Sequence, residues 1–337
     1  VLREMRQWLN GKTSFSSPWE SFFTKKSWDD ESDQGYFWTE NNRYLLLFVT
    51  PAKLHNSFTK AQHSLTSLRK AVAQVQAEFP DRVFDVGICE QHAVTFAAGL
   101  ATQGFTPVVA IYSTFLQRGY DQIIHDVCLQ DLPVIFALDR SGIVGDDGKT
   151  HQGAFDISYL TPIPNLIVSA PKDENELQHL LYTAVRSEHP MAIRYPRSAG
   201  LGVKLDSDLH IIPTGKGEIL RLGEDVAIIA IGSVVAPAVK AAQELASSGV
   251  EVTVFNARFA KPLDSELVLE LAIRTKRILT VEENAPAGGF GSAVLELLGS
   301  AKLPNVKVEC LSLPDSFIEH GTQELFRSMF NLDSEGI

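Results

Sequence analysis

The sequence predicts an α/β protein whose two domains each contain a mostly parallel sheet. Short apolar runs alternate with amphipathic stretches from Arg82 onward, and Gly, Pro or Asp marks the joints between them. Most of these runs are apolar at nearly every position, which is typical of strands covered by helices on both faces. A chain of 337 residues is long enough for two such domains.

Residues 1–76 lack this rhythm, and we treat them as an atypical leader. All four tryptophans lie in its first forty residues, together with an acidic cluster from Asp29 to Asp33. Its apolar run at 44–49 falls far short of the ~20 residues that a membrane-spanning helix needs. The chain begins with Val1 rather than Met, so we expect it to be a fragment of a longer sequence.

The first regular domain is predicted to span residues 77–197. Its apolar runs predict strands at 83–88, 107–112, 134–138, 166–170 and 191–195. The stretches between them predict helices at 90–103, 114–130 and 173–187. Residues 198–217 contain Gly, Ser and Pro in a weak pattern and are predicted to be a linker.

The rhythm restarts in a second, smaller domain, predicted at residues 218–333. Strands are expected at 226–231, 252–256, 277–281 and 306–311, and helices at 236–247, 265–275 and 292–300. The glycine-rich segment 288–291 is interpreted as a tight turn into the last helix, with an anion nest as the alternative. Glu282 and Glu283 are adjacent on a strand and point to opposite faces, so we do not expect them to form a catalytic pair.

Composition excludes several classes of function. The formal charge of −11 argues against a nucleic-acid partner, which needs a clustered positive surface, but leaves small phosphorylated substrates open. No apolar run is long enough to cross a bilayer, so no membrane partner is expected. The three cysteines are far apart and form no CxxC pair, so neither a disulfide framework nor a metal site is predicted. This usage fits a reducing compartment.

The densest candidate motif runs over residues 85–93, where Glu90 follows the first predicted strand. Ligands of open α/β sheets bind at the carboxyl ends of the strands. On position alone, however, Glu90 is more simply interpreted as a helix-start acid that the helix macrodipole favours.

Longer segments change that interpretation. Residues 85–93, 111–118, 139–156 and 194–197, and then 256–264, 282–284 and 288–291, occur in the order of a known family. Together they resemble the pyrimidine-binding and C-terminal domains of the 1-deoxy-D-xylulose-5-phosphate synthases, which are transketolase-like, thiamine-diphosphate-dependent enzymes. The resemblance extends over about residues 79–331.

The resemblance implies a fold, a reaction and cofactors. It implies a transketolase-like pyrimidine-binding domain followed by a transketolase C-terminal domain. The implied enzyme is a transferase that condenses pyruvate with glyceraldehyde 3-phosphate to 1-deoxy-D-xylulose 5-phosphate and CO₂, a precursor of isoprenoids, thiamine and pyridoxal. It uses thiamine diphosphate and Mg²⁺, acts as a homodimer, and is found in the bacterial cytoplasm or the plastid stroma.

The resemblance also implies residue roles for the cofactor. Glu90 is the catalytic carboxylate that bonds the pyrimidine ring and favours its imino tautomer, and the cofactor then acts as an electron sink. Phe115 stacks on the aminopyrimidine, and Tyr112 lies beside the same ring or the substrate. A core position is the alternative interpretation of Phe115, and for an isolated Phe it would be the better one.

The remaining implied roles concern the substrates. Arg118 and Arg197 hold the phosphate of glyceraldehyde 3-phosphate, for which a guanidinium is well suited, and Arg140 orients pyruvate or the phosphate. Asp147 and His151 lie on a glycine-rich loop, where His151 is suited to proton transfer with substrate oxygens. Surface ion pairs and a solvated loop histidine are the alternatives. A weaker candidate, His92, is expected to shape only the helix start.

Two departures from the family are visible. No Gly-Asp-Gly motif occurs in the chain, so the Mg²⁺ ligands are expected on a separate diphosphate-binding domain, and we expect no turnover by this chain alone. Residues before about 77 do not resemble the opening helix and strand of the family's domain, which puts the completeness of the first sheet in doubt. The alternatives are a β-type subunit of a split 2-oxoacid dehydrogenase or transketolase, and a non-catalytic dimerising relative.

Overall fold

The computed structural model describes the backbone of residues 44–48, and residues 75 and 77–337 in full. All of these residues belong to one compact unit, Arg43–Ile337. The tryptophans of the leader and its acidic cluster lie outside the described residues.

The strands of the described residues form two sheets. In chain order they are β1 (Tyr44–Phe48), β2 (Val83–Asp85), β3 (Thr106–Tyr112), β4 (Ile135–Asp139), β5 (Ile167–Ser169), β6 (Met191–Arg194), β7 (Glu218–Arg221), β8 (Val226–Ala230), β9 (Val252–Asn256), β10 (Phe259–Lys261), β11 (Arg277–Val281) and β12 (Lys307–Leu311). The first sheet has seven strands in the order β10-β5-β6-β4-β3-β1-β2, and the second has five in the order β12-β11-β8-β9-β7. Neighbouring strands are parallel except for β10 with β5 and β7 with β9.

Helices connect the parallel strands. The α-helices of the described residues are α1 (Glu90–Ala101), α2 (Ser113–Leu116), α3 (Tyr120–Gln122), α4 (Asp156–Leu160), α5 (Glu174–Val185), α6 (Val235–Ser247), α7 (Ser265–Thr275), α8 (Phe290–Ala301) and α9 (Gln323–Met329). Asp173, Asp264 and Thr322 cap α5, α7 and α9, because each side chain accepts a backbone N–H from the first turn. None of the described helices is long and apolar enough to cross a membrane.

The predicted fold class is confirmed, because both sheets are mostly parallel. Strands β6 and β9 are buried at every position, as expected where helices cover both faces of a sheet. Residues 198–217 contain neither a helix nor a strand. Helix α8, which was predicted to begin at residue 292, begins at Phe290.

The gap that the sequence left open in the first sheet is filled by β1. This strand comes from the leader and pairs in parallel with both β2 and β3, with Leu46 opposite Val83 on one side and Val108 on the other. The sequence reading missed β1 because its five residues stand apart from the regular strand and helix pattern that begins at Arg82.

Two further short strands were not predicted. Strands β7 and β10 contain charged residues and pair antiparallel with distant parts of the chain. Such pairings depend on contacts that are distant in sequence, so a local pattern does not reveal them. Strand β10 lies in the first sheet, although it belongs to the segment predicted as the second domain.

The helix predicted at 114–130 is wrong as a single element. The segment is divided into α2, a 3₁₀ turn at Gln117–Gly119, α3 and a π-helical turn at Ile123–Cys128. A Cβ atom at Gly119 would lie 3.4 Å from the Glu90 carbonyl oxygen and 3.2 Å from a methyl of Val94. Glycine therefore lets this segment lie close against α1.

Candidate active site

The predicted site residues are positioned by the carboxyl ends of neighbouring parallel strands. Glu90 begins the helix that follows β2, and Tyr112 is the last residue of β3. Arg140 directly follows β4, and Arg197 follows β6. Carboxyl ends of parallel strands share one edge of the sheet, where α/β proteins bind ligands, so the fold brings these side chains to a common edge.

Glu90 lies at one end of the site. It is 3% exposed, and its carboxylate accepts a hydrogen bond of 2.9 Å from Arg118 Nη1. Its position in the first turn of α1 places the negative charge near the positive end of the helix dipole. The Arg118 side chain is 54% exposed, so this pair joins a buried carboxylate to a guanidinium that also reaches solvent.

Phe115 lies at the centre of the site. The Arg118 guanidinium carbon lies 4.9 Å from the centroid of its ring, which is a cation–π distance. Tyr112 stacks against Phe115 with ring centroids 5.6 Å apart, and His151 meets it edge-on at 5.2 Å. The ring is therefore in contact with side chains from the strand end, the 3₁₀ turn and the glycine-rich loop.

Arg140 connects the aromatic residues to the acidic ones. Its guanidinium carbon lies 3.8 Å from the centroid of the Tyr112 ring, and its Nε donates to Asp147 Oδ2 at 3.4 Å. It also forms an ion pair with Asp139. Burial raises the pKa of Tyr112 and of Asp139, and the positive charge of Arg140 opposes both shifts.

Arg197 completes the chain of contacts. Its Nε lies 3.3 Å from Asp147 Oδ2, so Asp147 is shared between Arg140 and Arg197. An unbroken series of side-chain contacts thus links all eight predicted site residues, which are Glu90, Arg118, Phe115, His151, Tyr112, Arg140, Asp147 and Arg197.

Two predicted roles stay predictions. Arg118 contacts Glu90, whereas Arg197 contacts Asp146 and Asp147, and the role of both arginines in binding one phosphate is not tested by these contacts. His92 is exposed and stacks against Phe96 at 5.8 Å.

The sequence reading missed a buried ion pair behind the site. Asp156 is fully buried and accepts hydrogen bonds from Arg194 Nε and Ser113 Oγ, both at 2.9 Å. Arg194 also donates to the Glu283 carbonyl oxygen at 3.0 Å. Asp156 and Arg194 lie at the ends of two motifs read from the sequence, but only their burial identifies them as partners.

One group of side chains has the composition of a metal site. Within the part of the chain that the structure describes, His179, Asp206 and His210 place one ligand atom each within 4.8 Å of one another. The backbone N–H of His210 donates to His179 Nδ1, so the ring proton is on Nε2, which lies 2.9 Å from Asp206 Oδ2. Both ring nitrogens are thus already used, and Mg²⁺ prefers oxygen ligands to imidazole. This group lies on α5 and the linker, which carry none of the predicted site residues.

Comparison with known proteins matches the segments that form both sheets, apart from β1. The family description "Transketolase, pyrimidine binding domain" matches residues 49–201, and "Transketolase, C-terminal domain" matches residues 215–337. A 1-deoxy-D-xylulose-5-phosphate synthase of Dehalococcoides mccartyi is 61% identical over 267 residues, which is 79% of this chain. The corresponding synthase 1 of Geobacter sulfurreducens is 62% identical over 260 residues, or 77% of this chain. The chain belongs to the 1-deoxy-D-xylulose-5-phosphate synthase family.

This synthase-family chain spans only part of its relatives. It covers 42% of the length of the Dehalococcoides protein and 41% of the Geobacter protein. All eight site residues lie within the segment matched to the pyrimidine-binding domain.

Solved structures support the fold. A structure described as "Split gene transketolase, inactive beta4 tetramer" superposes with a TM-score of 0.74 at 29% identity, covering 88% of this chain and 90% of that one. Transketolase from Campylobacter jejuni superposes with a TM-score of 0.61 at 19% identity, over 76% of this chain and 38% of that one. At that identity the second likeness concerns the fold alone.

Proposed function

We propose that this chain provides the pyrimidine-binding and substrate-binding half of a thiamine-diphosphate-dependent 1-deoxy-D-xylulose-5-phosphate synthase. The observation that carries the proposal is the unbroken series of contacts from Glu90 to Arg197. It brings the acid, aromatic and cationic side chains that the reaction requires to one edge of the sheet.

The chemistry of the side chains fits the aminopyrimidine of the cofactor. Thiamine diphosphate, when bound, supplies the electron sink for decarboxylation of pyruvate. Glu90 would hold a proton at the pyrimidine nitrogen, and its burial strengthens that hydrogen bond. Phe115 would bind the face of the ring. Arg118 contacts both Glu90 and Phe115 in this structure, so its side chain must move away before the ring can bind. Its exposure to solvent allows that movement.

The remaining residues bind the substrates. Arg118 and Arg197 would bind the phosphate of glyceraldehyde 3-phosphate, and Arg140 would orient pyruvate or that phosphate beside Tyr112. His151 would move a proton to or from a substrate oxygen, with Asp147 placed by its two arginines to orient the substrate. The Mg²⁺ ligands are proposed to lie on a separate diphosphate-binding region.

A subunit of a split enzyme is the second candidate. The structure described as a split gene transketolase is covered by this chain over 90% of its length, whereas the two synthases are covered over only 41–42%. Such a subunit would use the same site after binding a separate diphosphate-binding chain. In both cases we propose that the chain associates as a homodimer. The bacterial origin of the two synthases favours a bacterial rather than a plastid location.

A product assay tests the function and separates the candidates. The full chain is incubated with pyruvate, glyceraldehyde 3-phosphate, thiamine diphosphate and Mg²⁺, alone and with the diphosphate-binding region of the Geobacter synthase. We expect 1-deoxy-D-xylulose 5-phosphate and CO₂ only in the mixture. A second complemented mixture contains a ketose donor in place of pyruvate. Product from that mixture favours a split transketolase. If neither mixture forms product, both candidate functions are contradicted. Sedimentation of the chain measures the homodimer directly.

A further inference from the structure

The glycine-rich loop that carries Asp147 and His151 is closed at its base. Gly142 and Gly153 exchange two backbone hydrogen bonds, of 2.8 Å from Gly142 N and 2.9 Å from Gly153 N. Inside the loop, the Gln152 side chain accepts from Val144 N at 2.7 Å. We call residues 142–153 the substrate loop.

The base of the substrate loop rests on one carboxylate of the C-terminal domain. Glu283 Oε2 accepts a hydrogen bond of 3.1 Å from Ile143 N, and Glu283 Oε1 accepts one of 2.6 Å from Arg327 Nε. Glu283 is 1% exposed, so both bonds are made away from water. A Cβ atom at Gly142 would overlap Glu283, and Gly142 has a φ of +75°, so only glycine suits this position.

Further contacts come from one segment of the same domain. Lys149 Nζ lies 2.9 Å from Glu319 Oε1, and Gln152 Nε2 donates to the Glu319 carbonyl oxygen at 3.4 Å. The Gln323 side chain donates to the Ile143 carbonyl oxygen. The loop is therefore held on the C-terminal domain at its base and near its tip.

The position of Glu283 beside the second sheet explains why its carboxylate can bond the substrate loop. From the central strand β8, the chain continues to β9 on one side and later to β11 on the other, so the strand order changes direction between β8 and β11. Open α/β sheets bind ligands at the carboxyl end of such a change. Glu283 lies two residues beyond β11, and there Ala285 N donates to the Ala154 carbonyl oxygen at 2.7 Å. The substrate loop and the residue after it thus occupy the place where this sheet type usually holds a ligand.

We propose that Glu283 is a positioning residue that fixes the substrate loop from the C-terminal domain and so sets where Asp147 and His151 meet the substrate. Glu283 touches neither cofactor nor substrate and acts through Ile143 and Arg327. The consequence for catalysis rests on the proposed synthase function. The tethering of the loop does not rest on that function, because it follows from contacts within this chain.

The adjacent Glu282 provides a matched control. It is also 1% exposed, and its carboxylate also accepts backbone hydrogen bonds, from Phe290 and Gly291 at 2.7 and 2.8 Å. Those partners belong to the C-terminal domain itself. Glu283→Gln and Glu282→Gln therefore disturb equally buried carboxylates, but only the first touches the loop.

Hydrogen exchange of the full chain tests the tethering. In Glu283→Gln we expect the amides of Gly142, Ile143, Val144 and Gly153 to exchange at least about tenfold faster, because one hydrogen bond of the base is weakened. In Glu282→Gln these amides should keep their rates within about twofold, while amides at the start of α8 exchange faster. Equal loop rates in wild type and Glu283→Gln, or equal acceleration in both variants, overturn the proposal.

Kinetics in the complemented mixture separate this proposal from the proposed function. Because Asp147 contacts Arg197, Glu283→Gln should raise the KM for glyceraldehyde 3-phosphate about tenfold and leave the KM for pyruvate within about twofold. Unchanged constants in an active mixture overturn the role of Glu283 in positioning. An inactive wild-type mixture contradicts the function, and faster loop exchange in Glu283→Gln then still supports the tether.

Discussion

The Glu90 carboxylate has two competing partners, which are Arg118 in this chain and the pyrimidine nitrogen of the proposed cofactor. If the second contact governs turnover, Glu90→Gln should lower kcat in the complemented mixture by ~10²–10⁴-fold, the usual contribution of a positioned proton-transfer group. The midpoint of urea unfolding should stay nearly constant, because Arg118 is half exposed and regains water when its partner loses charge; such pairs contribute about 1 kcal/mol or less. The exposed Glu188→Gln serves as the control and should change neither quantity.

Glu282 is expected to make stability depend on pH. Burial raises the pKa of this carboxyl from an ordinary value of 4.5 to about 7, although two backbone N–H groups favour its charged form. Between these two values the folded chain holds a proton that the unfolded chain has lost. The contribution of Glu282 to the free energy of unfolding therefore falls by about 3 kcal/mol as pH rises through this window.

Glu282→Gln should remove this dependence. The variant has no titrating group at this position, so its free energy of unfolding relative to wild type should increase by about 3 kcal/mol between pH 4.5 and pH 8. The glutamine side chain also loses one of the two backbone hydrogen bonds. This loss changes the free energy of unfolding of the variant equally at both pH values, so it cancels in the difference. Urea unfolding of both proteins at the two pH values gives the difference, and parallel pH profiles would contradict the raised pKa of Glu282.

Single residues of the site were predicted more readily than their partners. Glu90, Phe115 and His151 lie in motifs whose residue types and order carry chemistry, so the sequence marks them. The contact between Arg118 and Glu90 spans 28 residues, and the bond from Glu283 to Ile143 spans 140. A local pattern carries no information about such pairings, which depend on how segments distant in the chain pack together. The roles assigned to the site residues therefore remain predictions, although the fold brings their side chains together.

At the scale of elements, mostly buried strands were predicted more accurately than irregular helical segments. Strands β9 and β11 have the predicted bounds, because both are mostly apolar, mostly buried and parallel to the central strand β8. The segment after β3 was predicted as one helix, since its composition is helical throughout, but it contains a 3₁₀ turn and a π-helical turn. Close packing against α1 at Gly119 accounts for the irregularity, and π-helical turns often occur at functional sites.

The contact between α4 and β6 gives a prediction at this scale. Asp156 begins α4, Arg194 ends β6, and their ion pair is at most 4% exposed on either side. Asp156→Ala should lower the free energy of unfolding by about 3–5 kcal/mol, because it leaves a buried guanidinium with a single remaining acceptor. Lys240→Ala breaks an exposed pair with Glu244 on α6 and should cost less than about 0.5 kcal/mol. Urea unfolding measures both, and equal losses would show that burial does not set the cost.

The whole molecule depends on a strand that the regular part of the sequence does not contain. Strand β1 pairs on one side with β2 and on the other with β3, over five residue pairs in the latter case. Among the described strands, β2 pairs only with β1, so without β1 it loses that neighbour and β3 presents an unpaired edge. Glu90 begins the helix that follows β2, so the loss of β1 removes the support of one end of the site.

Shortening the chain tests this dependence. A variant that begins at Ala77 retains the predicted first domain and all eight site residues but lacks β1, and we expect it to aggregate, because an unpaired parallel edge offers backbone groups to other chains. A variant that begins at Arg43 retains the whole compact unit and is the matched control. Size-exclusion chromatography and hydrogen exchange at Val108 to Ala110 distinguish the two. If the Ala77 variant elutes as a compact species with protected β3 amides, β1 is dispensable, and the boundary predicted at residue 77 is physically sufficient for folding.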